Sequence, residues 1–195
     1  MLSFNSDFAI QKAPSQSAGG VGTDVKEEIG GMVTESIEIE EAHFPVYFTP
    51  TLESNGVMGG SDWAVEAKSE YNENYPAYYA FADGVDNHWW ASKNKQDETG
   101  AWFTFYSPFK LIVKEITYNS QGSNYMRAGK VQGSNDNTNW TDITSFASVT
   151  TSGKTTISKS DNEMAFRYHR IVCTTYNSNN CCIYNLTILA VRVKD

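Results

Sequence analysis

Long apolar runs are missing from this chain. No stretch of its 195 residues approaches the roughly 18 consecutive apolar residues of a membrane-spanning helix, so insertion into a bilayer is not expected. Basic charge is also in short supply: 15 Lys and Arg stand against 23 Asp and Glu, for a net charge of −8, and the cations are scattered. A field of that sign repels phosphate, which excludes nucleic acid and anionic lipid surfaces as expected partners. Cysteine is limited to Cys173, Cys181 and Cys182, an odd number that cannot form a complete disulfide framework. The adjacent pair is sterically poor for bonding to itself, and the three lack the paired spacing of a zinc site, so reduced thiols are the expectation. The start, "MLSFNSDFAIQKAPS", has no charged region leading into an apolar run and reads as no secretory signal. No zincin pattern, nucleophile elbow or phosphate-cradling glycine loop is present, and His169 and Cys173 cannot pair within one strand, being about 13 Å apart at about 3.3 Å per residue. Catalysis is therefore not expected.

What the chain has instead is aromatic and β-branched. Aromatics make up 13%, with 11 Tyr and 5 Trp, and helix-period segments of convincing length are lacking. Short alternating segments broken by Gly, Asn, Asp and Pro predict strands at Trp63–Ala67, Ala101–Phe105, Leu111–Tyr118, Lys130–Gly133, Thr155–Ile157, Phe166–Thr174 and Ile183–Val193. That spacing predicts an all-β fold, an antiparallel sandwich. Ahead of it, residues 13–23, "APSQSAGGVGT", read as a flexible separator, and "MVTESIEIEEA" as an exposed or partner-seeking strand. Residues 1–48 are thus expected to form an N-terminal arm, and residues 49–195 the domain.

Two stretches invite closer reading. In "KVQGSNDNTNWTDI" a strand runs into Ser134, Asn135, Asp136 and Asn137, side chains that favour Asx-type turns, and Trp140 returns to the sheet, so a hairpin is expected. "AFADGVDNHWWAS" gathers Asp83, Asp86, His88, Trp89 and Trp90. A glycosidase pair would need two carboxylates held about 5 Å or 6.5–9.5 Å apart across a cleft, and Asp83 and Asp86 in one turn-rich segment suit a cation or their own backbone better. If this segment is extended, Trp89 and Trp90 face opposite sides.

These stretches, with "WFTFYSPFKLIVKEITY", "FRYHRIVC" and "IYNLTILAV", occur in the order seen in discoidin-like domains, and the chain resembles that superfamily over residues 49–193. It is similar to the coagulation-factor C-type, galactose-binding-like modules and to sugar-binding module family 32. The resemblance implies a jelly-roll β-sandwich of about eight strands with ligand-binding loops at one end. It places Asp83-Gly84, Trp90, Gly133-Ser134-Asn135-Asp136, Trp140, Arg167-Tyr168 and Arg170 at scaffold positions. It implies Trp90 in the core, and alternation in an extended segment then turns Trp89 to the other side, available to a ligand. It also implies a Ca²⁺ site at Asp83 and Asp86 with a carbonyl such as that of His88, weakened because Asn185 stands where the family commonly has a carboxylate and His88 where it has Thr.

The loops expected at the binding end are "SEYNENYPAYY", "SKNKQDE", "NSQGSNYMRAG" and "TTYNSNNCC". A sugar offers a CH-rich face to a flat ring and hydroxyls to amides. Tyr75, Tyr125, Arg127, Tyr176 and Asn177 are the leading ligand residues on that reasoning, with Asn74, Trp89 and Lys93 behind them. The resulting expectation is a non-catalytic glycan-binding protein, homo-oligomeric, resembling attachment components of a bacteriophage virion such as a tail fibre. It would be assembled in the host cytoplasm, with residues 1–48 docking to other virion proteins. The alternative is a structural decoration or adaptor subunit that uses the sandwich for protein contacts.

Overall fold

A computed structural model describes residues 44–84, 86, 88–92, 101–178 and 180–193. Lys93, the Trp90 ring and the arm up to residue 43 lie outside them. The compact unit runs from His43 to Asp195. Its strands are β1 (Val46–Phe48), β2 (Ala64–Ala67), β3 (Trp89–Ser92), β4 (Ala101–Ser120), β5 (Met126–Ser134), β6 (Thr141–Phe146), β7 (Gly153–Ser158), β8 (Phe166–Tyr176) and β9 (Asn180–Val193), with one short 3-10 turn at Ala77–Phe81. Every strand pairing among them is antiparallel. No helix among the described residues is long and apolar enough to cross a membrane.

The two layers share β4. Its first half pairs with β2 on one side and β8 on the other, and β8 continues through β5 to β6. Its second half pairs with β9 and β7, and β9 carries β3 and β1 on its far edge. The sequence predicts two strands here, Ala101–Phe105 and Leu111–Tyr118, and the structure joins them across a register break between Tyr106 and Leu111. Pro108 occupies the break, where a residue with no N–H to give costs the ladder nothing, and its carbonyl accepts from the Arg167 guanidinium.

Alternation fills the space between the layers. Ala101, Phe103 and Phe105 of β4, Ile171 and Cys173 of β8 and Val131 of β5 meet Ile116, Tyr118, Ile183, Leu186 and Ile188 from the other layer. The phase of that alternation slips in β9. Cys181 and Ile183 face inward, and then Leu186, Ile188 and Ala190 do, because one extra residue lies between the Thr187 and Tyr184 pairings. Asn185 takes up the slip at φ 51°, a left-handed conformation that Asn tolerates better than most residues.

The β5–β6 hairpin behaves as its sequence predicts. Asp136 accepts from Asn139 Nδ2 at 2.7 Å and from the backbone N–H groups of Asn139 and Thr138 at 2.7 and 2.9 Å, and these bonds, the Asn139 side chain first, hold its carboxyl well below the usual range. The hairpin also covers the outer face of its layer. Asn137 Nδ2 donates to Glu66 Oε1 at 2.9 Å, and the Trp140 ring lies 4.1 Å beneath the Arg170 guanidinium. Phe48 pairs into the sandwich through β1 and packs on Trp63 and Phe109, so the fold begins before the expected boundary at residue 49.

Candidate functional site

Antiparallel order brings the loop after β2, His88 just before β3, the turn between β4 and β5, and the turn after β8 to one end of the sandwich. They are bonded to one another. Asn177 Nδ2 donates to Ser123 O at 3.1 Å, Ser178 Oγ to Asn124 Oδ1 at 2.8 Å, and the Asn177 N–H to Tyr125 O at 3.1 Å. The Gln121 amide nitrogen lies 3.3 Å from His88 Nε2. Three of the four loops expected to meet therefore do so in the described residues; the fourth, at residues 92–98, is described only at its first residue.

Loop 69–76 is held rigid from below. Glu70 Oε1 accepts from the Ala77 N–H at 2.6 Å and from Asn55 Nδ2 at 3.1 Å, while Asn55 Oδ1 accepts from the Tyr78 N–H at 3.0 Å. At its tip the Asn74 N–H closes an Asx turn on Asn72 Oδ1 at 2.9 Å. The loop presents a row of rings: Tyr71, 46% exposed, edge-on to Tyr75 at 6.0 Å, and Tyr75 against His88 at 5.1 Å, with Tyr184 behind at 6.3 Å from His88. Flat rings beside the amides of Gln121 and Asn124 and the Ser178 hydroxyl make a surface suited to a ligand with one apolar face and several hydroxyls.

On the outer side of the same loop, an open depression of about 580 Å³ is lined by Asn55, Glu66, Ala67, Glu70, Asn72 and Glu73. Glu66, Glu70 and Glu73 bring three carboxylates to this lining. The surroundings of the aromatic row are thus anionic.

The expected ligand residues separate into three groups. Tyr75, Asn74 and Asn177 sit on this end with exposed or half-buried side chains. Arg127 is exposed on the far flank of the 121–125 turn, where its carbonyl accepts from the Val149 N–H at 3.2 Å. Trp89, Tyr125 and Tyr176 are corrected. Trp89 is 1% exposed, packs 5.3 Å from Phe103 and donates its indole N–H to Ser69 O at 3.0 Å, so it anchors the loop from inside. Tyr125 is 7% exposed and donates its hydroxyl to Thr150 O at 2.7 Å. Tyr176 is half-buried, its hydroxyl accepting the Ala101 N–H at 2.7 Å, and burial raises its pKa. All three spend their polar atoms on backbone groups. Tyr71 and Gln121 went unnamed in the sequence reading, although both lie in the quoted loops; a ring two residues after Ser69 has no signal distinguishing it from Tyr78 or Tyr79.

Asp83 and Asp86 are exposed, whereas His88 is 4% exposed and turned toward Gln121. Among the described residues no three His, Cys, Asp or Glu side chains converge. Asn185 Oδ1, at the position where the family resemblance implies a carboxylate, accepts the Gly84 N–H at 3.1 Å, and the Asn185 N–H returns to Ala82 O at 3.0 Å. Two hydrogen bonds clasp this loop to β9.

Comparison with known proteins agrees with this architecture. The F5/8 type C domain family matches residues 64–186. No curated protein sequence matches the chain. Among solved structures, the family 32 carbohydrate-binding module of Clostridium perfringens NanJ, in complex with galactose, is similar at 15% identity and a TM-score of 0.56, covering 65% of this chain and 93% of that one. A family 32 module from the same organism, in complex with GalNAc-β-1,3-galactose, matches at 16% identity, a TM-score of 0.56, and 65% and 94% coverage. The C-terminal domain of a chitobiase from Bacteroides fragilis matches at 16% identity, a TM-score of 0.56, and 69% and 97% coverage.

Proposed function

Because the chain belongs to the F5/8 type C domain family, we propose that its sandwich is a non-catalytic glycan-binding module that recognises a neutral sugar on the face of Tyr71 and Tyr75. The carrying observation is the exposed Tyr71 ring edge-on to the half-buried Tyr75, beside the Gln121, Asn124 and Ser178 polar groups at one loop end. Relatives of the same fold held galactose and a galactose-containing disaccharide, which makes those sugars the first probes. A glycan array with the purified full chain tests the reading. Binding to neutral glycans that is lost in Tyr71→Ala and Tyr75→Ala supports it; no binding at high valency overturns it.

In its finer form the proposal is an attachment component of a bacteriophage virion, such as a tail fibre, whose copies turn weak sugar affinity into avidity. It is supported by the resemblance of "FTPTLESNGVMGGSDWAVEAKSEYNENYPAYYAFADG" to discoidin-like domains of phage tail proteins. A structural adaptor is the second reading, favoured by the exposed apolar side chains of Phe44, Val46, Tyr47 and Val57. Adsorption to host cells separates the two. Tyr75→Ala should abolish it in the attachment reading and leave it intact in the adaptor reading, where Tyr47→Ser should be the damaging change.

A further inference from the structure

We infer that Cys182 is a positioning residue for the amide side of this face, acting through the Gln121–Asn124 turn. The inference rests on reading that face as the glycan site.

Cys182 is fully buried at the start of β9. Its Sγ accepts the Gln121 N–H at 3.2 Å and donates to Asn124 O at 3.2 Å, and its backbone N–H reaches the same carbonyl at 3.0 Å. The turn closes on itself through the Asn124 N–H to Gln121 O bond at 3.0 Å, with Gly122 at φ 55° and with Gly122 and Ser123 exposed at its tip. Both ends of a solvent-facing turn are therefore bonded to one thiol. The side chains at those two ends are the ones that face outward to neighbours of the site: the Gln121 amide, donating to His88 Nε2, and Asn124 Oδ1, accepting from Ser178.

A thiol can accept and donate at once, which a methyl cannot. Removing it leaves the Gln121 N–H without that acceptor, and a buried donor without a partner moves toward water at the expense of its former geometry. The turn would shift outward and carry Gln121 and Asn124 away from the ring row. Binding groups need placement within about 0.5 Å, so the amides would lose register with the sugar hydroxyls while the rings stayed in place.

The test uses ¹⁵N-labelled full chain carrying Cys182→Ser, Cys182→Val or Cys182→Ala. Hydrogen exchange at the Gln121 amide should accelerate about tenfold or more in the Val and Ala variants, with Ile188 and Val131 unchanged, and return to within about threefold of the parent in Cys182→Ser. Equal exchange in all four proteins overturns the inference, as does a loss shared by Gln121 and Ile188 that serine does not rescue, which is what packing alone would give. On the glycan array, every glycan held by the parent should bind about tenfold more weakly to Cys182→Val and unchanged to Cys182→Ser; parent-like binding by the Val variant also overturns it. A blank array for the parent defeats the proposed function, and the exchange experiment still decides the role of Cys182.

Discussion

Of the tyrosines at the loop end, some face water and others are consumed by the scaffold. Tyr71 and Tyr75 offer ring surface, while Tyr125 and Tyr176 put their hydroxyls on Thr150 O and the Ala101 N–H. The two classes should separate under mutation. Tyr75→Ala is expected to weaken binding to a neutral glycan about tenfold or more, with little change in melting temperature, because a half-exposed ring contributes mainly to contact. Tyr125→Phe is expected to do the reverse: affinity within about twofold, and a stability loss of about 1 kcal/mol from leaving Thr150 O without its donor, read by urea unfolding. Single residues of this kind were poorly legible in the sequence. Quoting the right loops needed only turn-forming composition, but sorting Tyr75 from Tyr125 depends on which carbonyl each hydroxyl meets across the fold. Trp89 shows the same limit: alternation correctly puts neighbours on opposite sides, and the side that is core is set by Ser69 and Phe103, both distant in sequence.

Strands were legible where a simple period of two survived, as in Ala101–Phe105 and Phe166–Thr174, and obscured where a bulge changed the phase. In β9 the inward positions move from odd to even at Asn185, a shift no fixed template reproduces. Asn185→Ala should therefore cost more than Asn185→Gly, because alanine adds about 1–2 kcal/mol of left-handed backbone strain while both lose the bond to the Gly84 N–H; the difference in unfolding free energy isolates the strain. The β5–β6 hairpin was read in full from its turn residues, yet the reason for Gly133 was hidden. A Cβ there would lie 2.0 Å from Phe166 Cδ2, and Phe166 in turn packs edge-on to His169 at 6.1 Å. Gly133→Ala should destabilise the fold by about 1–3 kcal/mol through this displaced ring, visible as a lower melting temperature, without altering the loop end at the opposite end of β5.

At the scale of the whole sandwich, the buried imidazole of His169 couples the core to pH. His169 is fully buried, stacked on Phe105 at 5.2 Å and 15°, and neither ring nitrogen makes a hydrogen bond of ordinary geometry. Burial pulls its pKa down from 6.5 to about 3, with the Leu111 backbone opposing the drop slightly. The imidazole is therefore neutral in the fold, while in the unfolded chain it takes up a proton below about pH 6.5. The unfolded state then binds more protons than the native state, and stability falls as pH falls, by up to about 1.4 kcal/mol per pH unit, until the folded value near 3 is reached. Asp136, Asp142 and Asp161, whose pKa values are lowered by their hydrogen bonds, add to the loss as the carboxylate range is entered from above. His169 therefore contributes a decline of its own between pH 6.5 and 5, above the carboxylate range. Urea unfolding at steps across it should show a decline in the parent that flattens in His169→Leu, an apolar replacement of similar reach between Phe105 and Phe166. An equally steep decline in that variant would place the acid sensitivity elsewhere. The decline matters to function because Phe105 and His169 join β4 to β8, whose far ends carry the loops that form the candidate face; binding to a neutral glycan should hold until the core itself gives way.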